Sequence, residues 1–403
     1  MVAVVRETFT LVFMRNKDLL IIARPDHSYN IYKNLLDSEL DFTYMVFKLF
    51  PSWLNRFFSA KKLRPLFRNY SICWSMTIVN ALHYNLRWNF LAKIHESNFY
   101  TPHIARYLKR YKPALIHYWP EYCCDYMRKY KVAHPEVKTM AEIVFLNEQY
   151  VLDEVGPCLE SMGLGSNLDY IKKNSEIIKK VMEYETDCIV PSELAADTFR
   201  KYYPDKNYHV QTYGIPQSEC YKKKHKITDA DAVKSFVYAG TVSVEKGCDL
   251  ICQWFSEHCD KEIHLYGHLH QKEHHIFEKY KTFSNIHFHG AVPKADLQDK
   301  LKMYDAGLHI SRFDSYSLAV AEIIGCGLPV IVSNMTGICT DVQNNNLGIV
   351  TEVSQTSLDN AIKEFCNPGN YNQFIESIDD YFKEEHSSYG VRSLEIYSAL
   401  LKQ

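Results

Sequence analysis

Residues 307–333 read GLHISRFDSYSLAVAEIIGCGLPVIVS, and this stretch decides the fold. Gly307–Ser311 is a short apolar run of strand length. Leu318, Ala321 and Ile324 then recur at helical spacing, Gly325-Cys-Gly327 ends the helix, and Pro329–Ser333 is a second apolar run. A strand–helix–strand unit this compact closes by a right-handed crossover into a parallel sheet.

The same alternation extends in both directions. Downstream of Ser235 the other expected strands are Phe236–Gly240, Glu262–Gly267, Asn285–Gly290 and Gly348–Val353, separated by amphipathic stretches such as that of Leu297, Leu301 and Tyr304. A weaker version fills the first half, at Leu19–Arg24, Phe42–Leu49, Ala114–Trp119, Val137–Glu142, Cys188–Ser192 and Tyr208–Gly214. Strands alternating with helices predict an α/β protein with two Rossmann-like, doubly wound parallel sheets facing a cleft. The expected domains are 1–215 and 235–385. Between them 216–234, with Lys222, Lys223, Lys224 and the polar Thr228–Asp231, reads as a linker. Helical stretches follow near Ser357–Asn367, Tyr371–Glu385 and Val391–Lys402, and the last, within 386–403, is expected to return to the first domain.

Composition excludes several classes. A chain of 403 residues, 46% hydrophobic and 23% charged, is neither disordered nor a disulfide-stapled peptide. Its 12 cysteines form no CxxC pair; the nearest approach to a zinc pattern is Cys248, Cys252 and Cys259. With no basic-then-apolar opening after MVAVVRETF, a reducing cytoplasm is expected. The longest charge-free runs, Asn69–Leu86 and Ile323–Thr340, are interrupted by polar side chains or a Gly-Leu-Pro break and do not read as membrane spans. Eight of the 18 histidines fall in 257–289, including His268, His270, His274 and His275, but their spacing suits no ligand set and no metal is expected.

The net charge of −2 conceals a cationic segment: 51–112 carries 11 basic residues against 1 acidic. Within it Trp53, Leu54, Phe57 and Phe58 share one helical face, flanked by Arg56 and Lys62. That pattern fits a helix lying on an anionic membrane, or an ordinary helix packing its aromatics inward. Nucleic acid is not expected, because no binding module is present and the rest of the chain is acidic.

Doubly wound sheets bind ligands beyond the carboxyl ends of their strands. After Phe236–Gly240 comes the loop Gly240-Thr-Val-Ser-Val-Glu-Lys246-Gly247, which reads either as a phosphate seat or as a plain strand–helix turn. After Gly307–Ser311, Asp314 falls in the loop and Glu322 two turns into the helix among apolar neighbours. A carboxylate there needs a partner, which is either backbone or lysine in the core or the vicinal hydroxyls of a ribose.

In their order, these pieces resemble the GT-B glycosyltransferases, specifically the large retaining family numbered 4. Asp314-x7-Glu322 is similar to that family's Glu-x7-Glu signature, and Gly325-Cys-Gly-Leu-Pro329-Val to its Gly-x-Pro-Val turn. The loop at Lys246-Gly247 is similar to its phosphate loop. Leu265-Tyr-Gly267, Asn285–Val292, Gly337 to Gly348, Asp187–Glu193 and Tyr213–Pro216 resemble its further motifs. The resemblance covers 185–365 well and 1–140 loosely.

It implies a metal-independent retaining glycosyltransferase without cofactor, which moves a sugar from a UDP- or GDP-sugar to a saccharide, with a lipid-linked surface-polysaccharide intermediate as acceptor. The expected place is the cytoplasmic face of a bacterial membrane, reached through 51–112. Glu322 would bind the ribose, Lys246 the diphosphate beside Gly240 and Thr241, and the backbone at Val292 the base. Asp314 would orient the sugar, and the N–H groups of Tyr316, Ser317, Leu318 and Ala319 would face sugar and phosphate. The acceptor side would fall at Arg24, His27, Trp119 and Glu142. Thr241 stands where the family has a phosphate-binding arginine, and Arg24 and Arg312 are the candidates to replace it. A sugar-nucleotide epimerase and a non-catalytic donor-binding protein share the same architecture.

Overall fold

The computed structural model describes residues 18–23, 35, 38–46, 70–72, 97–384 and 389–402. Seven strands build the first sheet: β1 (Leu19–Ala23), β2 (Phe42–Val46), β3 (Tyr70–Ile72), β4 (Leu115–Tyr118), β5 (Lys138–Glu142), β6 (Asp187–Val190) and β7 (Asn207–Val210). They lie in the order β3-β2-β1-β4-β5-β6-β7, all parallel. The second sheet has six: β8 (Ser235–Ala239), β9 (Glu262–Tyr266), β10 (Ile286–Gly290), β11 (Ala306–His309), β12 (Val330–Ser333) and β13 (Gly348–Thr351). Their order is β10-β9-β8-β11-β12-β13, again all parallel. Each sheet thus has the doubly wound arrangement, with its order reversing beside the first strand.

Burial explains the strand sequences. Every residue of β4, β11 and β12 is buried, and apart from His117, His309 and Ser333 these strands read as apolar runs because helices cover both faces. The edge strands β7 and β13 bury no residue fully. Helix starts are fixed locally: Ser192 accepts the N–H of Ala195, Ser354 that of Ser357 and Asn147 that of Tyr150.

The connection 216–234 is laid along the second domain. Ser218 N–H donates to Gly325 O, Lys222 N–H to Cys326 O, and Asn372 bonds both the N–H and the carbonyl of Ile227. The last helix, Tyr389–Lys402, packs on β4 of the first sheet, where Tyr397 is fully buried. Among the described residues no helix is long and apolar enough to cross a membrane. The described cysteines are free thiols, Cys248 and Cys252 within the core and Cys259 exposed.

Candidate functional site

The carboxyl ends of the two sheets face each other across a cleft of about 980 Å³. Trp119, directly after β4, and Val144 and Phe145, after β5, line one wall. Gly240 and Thr241 after β8, Lys246, and the run Asp314–Ala319 after β11 line the other. This is where strand topology leaves a crevice that side chains from several loops can reach.

Lys246 and Asp314 form the charged centre. Lys246 Nζ donates to Asp314 Oδ2 at 3.1 Å and lies 3.4 Å from the Phe313 carbonyl. Asp314 Oδ2 is 3.6 Å from His309 Nε2, and Asp314 Oδ1 accepts the Tyr316 N–H at 3.3 Å. Burial acts to raise the Asp314 pKa, but Lys246 and His309 outweigh it and hold the carboxyl well below its ordinary value. Burial likewise acts against the Lys246 charge, and Asp314 and Glu245 reverse the sign, so the ammonium titrates above its usual range. Both groups are charged at neutral pH.

The helix Leu318–Gly325 begins at this centre. It is entered through Ser317 at φ 76°, a left-handed conformation rare for a residue with a side chain, and no side chain caps it. Its first N–H groups and its dipole are therefore open to an anion in the cleft. The other nearby helix, Cys248–Glu257, packs its start against the backbone that follows β11. It starts at Gly247, φ 70°, where a Cβ would stand 1.8 Å from the Ile310 carbonyl oxygen, so only glycine fits. Arg312 seals that corner: it is buried, donates to the Val244 carbonyl, and grips both Asp249 carboxylate oxygens at 2.7 and 2.8 Å. The Arg312 guanidinium, a candidate to replace the phosphate-binding arginine at Thr241, is engaged here with Asp249 and Val244.

Of the residues expected from sequence, Trp119, Gly240, Thr241, Lys246, Asp314, Tyr316, Ser317, Leu318 and Ala319 come together on the cleft. Glu322 and Val292 lie beyond this lining. Glu322 is 26% exposed and pairs with Lys294, so a ligand would have to displace that lysine or share it. Glu142 stands behind Trp119, accepting its indole N–H at 2.7 Å, and is itself backed by His117 at 2.9 Å. Arg24 and His27 lie outside the described residues, as do Trp53, Leu54, Arg56, Phe57, Phe58, Lys61 and Lys62.

Two residues escaped the sequence reading. His309, the last residue of β11, is buried with its ring stacked on Tyr238 (5.4 Å, 7°), and it joins Asp314 to Ser317 Oγ at 3.3 Å. A histidine ending an otherwise apolar strand at the crevice was its only signal. Glu148 heads the helix Glu148–Glu154 and lines, with Lys246 and Asp314, a second recess of about 670 Å³ beside the cleft. Burial pushes its carboxyl up to about 7, and its Oε1 has no hydrogen-bond partner. An ordinary helix-start glutamate is indistinguishable from this one in sequence.

Comparison with known proteins matches the geometry. The chain shares its fold with WaaG, a glycosyltransferase involved in lipopolysaccharide biosynthesis, at a TM-score of 0.55 and 11% identity over 95% of this chain and 99% of that one. Sucrose-phosphate synthase from Thermosynechococcus elongatus aligns at 0.59 and 13% identity over 96% and 99% of the two chains. HepE of Anabaena, solved with UDP and glucose, aligns at 0.57 and 13% identity over 96% and 100%. No curated protein matches the sequence. Residues 221–380 match the model of the family described as glycosyl transferases group 1. The chain thus has the two-domain GT-B fold, and residues 221–380 within it are similar to the glycosyl transferases group 1 family.

Proposed function

We propose that this protein is a retaining, metal-independent glycosyltransferase that moves a sugar from a UDP- or GDP-sugar to a saccharide acceptor. The observation that carries the proposal is the meeting of Lys246, Asp314 and the uncapped start of Leu318–Gly325 on one cleft between two sheets. A leaving diphosphate gains charge as the glycosidic bond breaks. An ammonium and oriented N–H groups stabilise that charge most where water is excluded. Asp314, held ionised, is suited to accept hydrogen bonds from sugar hydroxyls. The leaving phosphate oxygen would then take the acceptor proton on the same face, which retains configuration. The one Asp-x-Asp, Asp229-Ala-Asp231, precedes β8 and so lies away from the carboxyl ends that line the cleft. HepE has been solved with UDP and with UDP-glucose, which supports a uridine donor.

The expected acceptor is a lipid-linked surface-polysaccharide intermediate; two structural neighbours, WaaG and the galactosyltransferase WaaB, are described as lipopolysaccharide enzymes. Membrane contact would come through 51–112. The test is a thermal-shift panel of nucleoside diphosphates followed by transfer assays in EDTA. A nucleotide at 100 times its Kd should stabilise by about 2.7 kcal/mol. No shift with any nucleotide would overturn the donor site, and transfer restored only by Mn²⁺ would overturn metal independence. Turnover of donor without acceptor into an epimer would favour the epimerase. Sedimentation with anionic vesicles at low salt, lost in Lys61→Glu with Lys62→Glu, tests the membrane contact.

A further inference from the structure

Away from the cleft, the outer strands of the second sheet gather side chains of a different chemistry. In β9 the residues Ile263 and Leu265 point into the core, so Glu262, His264 and Tyr266 share the opposite face. In β10, His287 pairs in register with His264, and a bulge follows between Phe288 and Gly290. The His264 and His287 rings stack 4.4 Å apart, and Tyr304 closes on His264 at 4.7 Å. Sequence spacing gave no hint of this, because the partners lie on neighbouring strands.

The ligand atoms are close enough to converge on one ion once the stacked His264 and His287 rings turn toward it. Glu262 Oε1 is 3.5 Å from His264 Nε2, and Glu262 Oε2 is 3.4 Å from His287 Nε2. The ligand atoms of all three residues lie within 4.8 Å of one another. Around a tetrahedral ion bound at about 2.0–2.1 Å, ligand atoms stand roughly 3.3–3.4 Å apart. His264 Nε2 is buried and faces Glu262 Oε1 at 3.5 Å, while His264 Nδ1 is 2.9 Å from His289 Nε2. With Nδ1–H donating to His289, the Nε2 lone pair faces the Glu262 carboxylate, and a cation between the two would satisfy both. An outer partner on the second ring nitrogen is the usual support of a metal-ligating imidazole.

We propose that Glu262, His264 and His287 form a binding site for a borderline divalent cation of the Zn²⁺ class, with water in the fourth position. Two imidazoles and one carboxylate select Zn²⁺ over Mg²⁺ or Ca²⁺. The ion would clip the edge strand β10 to β9, apart from the donor cleft, and the proposal does not depend on the transferase reading.

The full chain, stripped with chelator, is titrated calorimetrically with ZnCl₂ and with MgCl₂. One Zn²⁺ per chain and no Mg²⁺ binding are expected, with affinity at least tenfold weaker in His264→Gln and in His287→Gln. Unchanged binding is expected in the exposed control His274→Gln with His275→Gln. Co²⁺ should give the visible absorption of a four-coordinate ion in the wild type and not in His287→Gln. Absence of Zn²⁺ binding, equal affinity in the wild type and both single variants, or loss only in the His274/His275 control would each overturn the site.

Discussion

Lys246 and Asp314 illustrate what one pair of residues contributes. Without ligand they neutralise each other at 3.1 Å; a diphosphate would draw the ammonium toward itself and free the carboxylate for sugar hydroxyls. Lys246→Ala should therefore lower kcat by a hundredfold or more, on the scale of one lost transition-state donor, about 2.7–4 kcal/mol. Turnover within tenfold of wild type in a folded variant would rule the role out. Glu322→Gln keeps shape and removes a charged acceptor, so nucleotide-sugar affinity should fall roughly tenfold, or about 1.5 kcal/mol. Glu148 gives a pH signature instead. Its carboxyl ionises near 4.5 in the unfolded chain and at about 7 in the folded one, so the folded state holds the extra proton between those values. Stability is complete below that window and falls as pH rises through it, by up to about 3 kcal/mol. Glu148→Gln should flatten that fall; equal losses between pH 5 and pH 8 in both proteins by urea unfolding would contradict it. Lys246 and Asp314 were legible in sequence because they lie in the loops that leave the carboxyl ends of β8 and β11. Glu148 was not, since its character comes from burial by neighbours far along the chain.

The element that organises the site is the helix Leu318–Gly325, and its start stores strain. A residue with a Cβ in the left-handed region costs roughly 1–2 kcal/mol, and Ser317 at φ 76° bears that cost while its Oγ meets His309. Ser317→Gly should unfold at or above the wild-type temperature, because relief of strain offsets one lost hydrogen bond. Ser317→Val should unfold several degrees lower; a β-branched residue tolerated there would show that the turn is not strained. Gly337 packs over the same turn, where a Cβ would come within 2.0 Å of the Ser315 carbonyl oxygen. Elements like these were legible wherever burial was complete: β4, β11 and β12 match the expected runs to within two residues at either end. The edges were not. Tyr208–Gly214 is a strand only over Asn207–Val210. In 216–234 a lysine-rich composition cannot show that Lys224 donates to the carbonyls of Lys302 and Tyr304.

At the scale of the molecule, few bonds decide how the two halves meet. Ser192 caps a helix of the first domain and donates to the Ser315 carbonyl of the second at 2.8 Å, and Tyr213 meets Tyr316 edge-on at 5.3 Å. Asn167 donates to Glu273, whose other oxygen accepts the Val244 N–H at the base of the Lys246 loop. The architecture was legible because its motifs sit at strand ends, where topology forces them onto the cleft. The wall at Trp119 was not, because its support comes from the helix Tyr389–Lys402. Tyr397, on the helix Tyr389–Lys402, holds His117 Nδ1 at 2.7 Å; His117 backs Glu142, and Glu142 holds the Trp119 indole that lines the cleft. Tyr397→Ala would empty a fully buried ring site at a cost of about 3–5 kcal/mol. Tyr397→Phe keeps the ring and leaves His117 short of one partner, at about 1–3 kcal/mol. Because Lys246, Ser317 and Glu322 all belong to the second domain, Tyr397→Phe should bind nucleoside diphosphate as the wild type does while sugar transfer slows and the unfolding temperature drops. Calorimetric titration beside a transfer assay separates the two effects. Equal losses of nucleotide affinity and transfer would mean that this chain of contacts does not act on sugar transfer through Trp119.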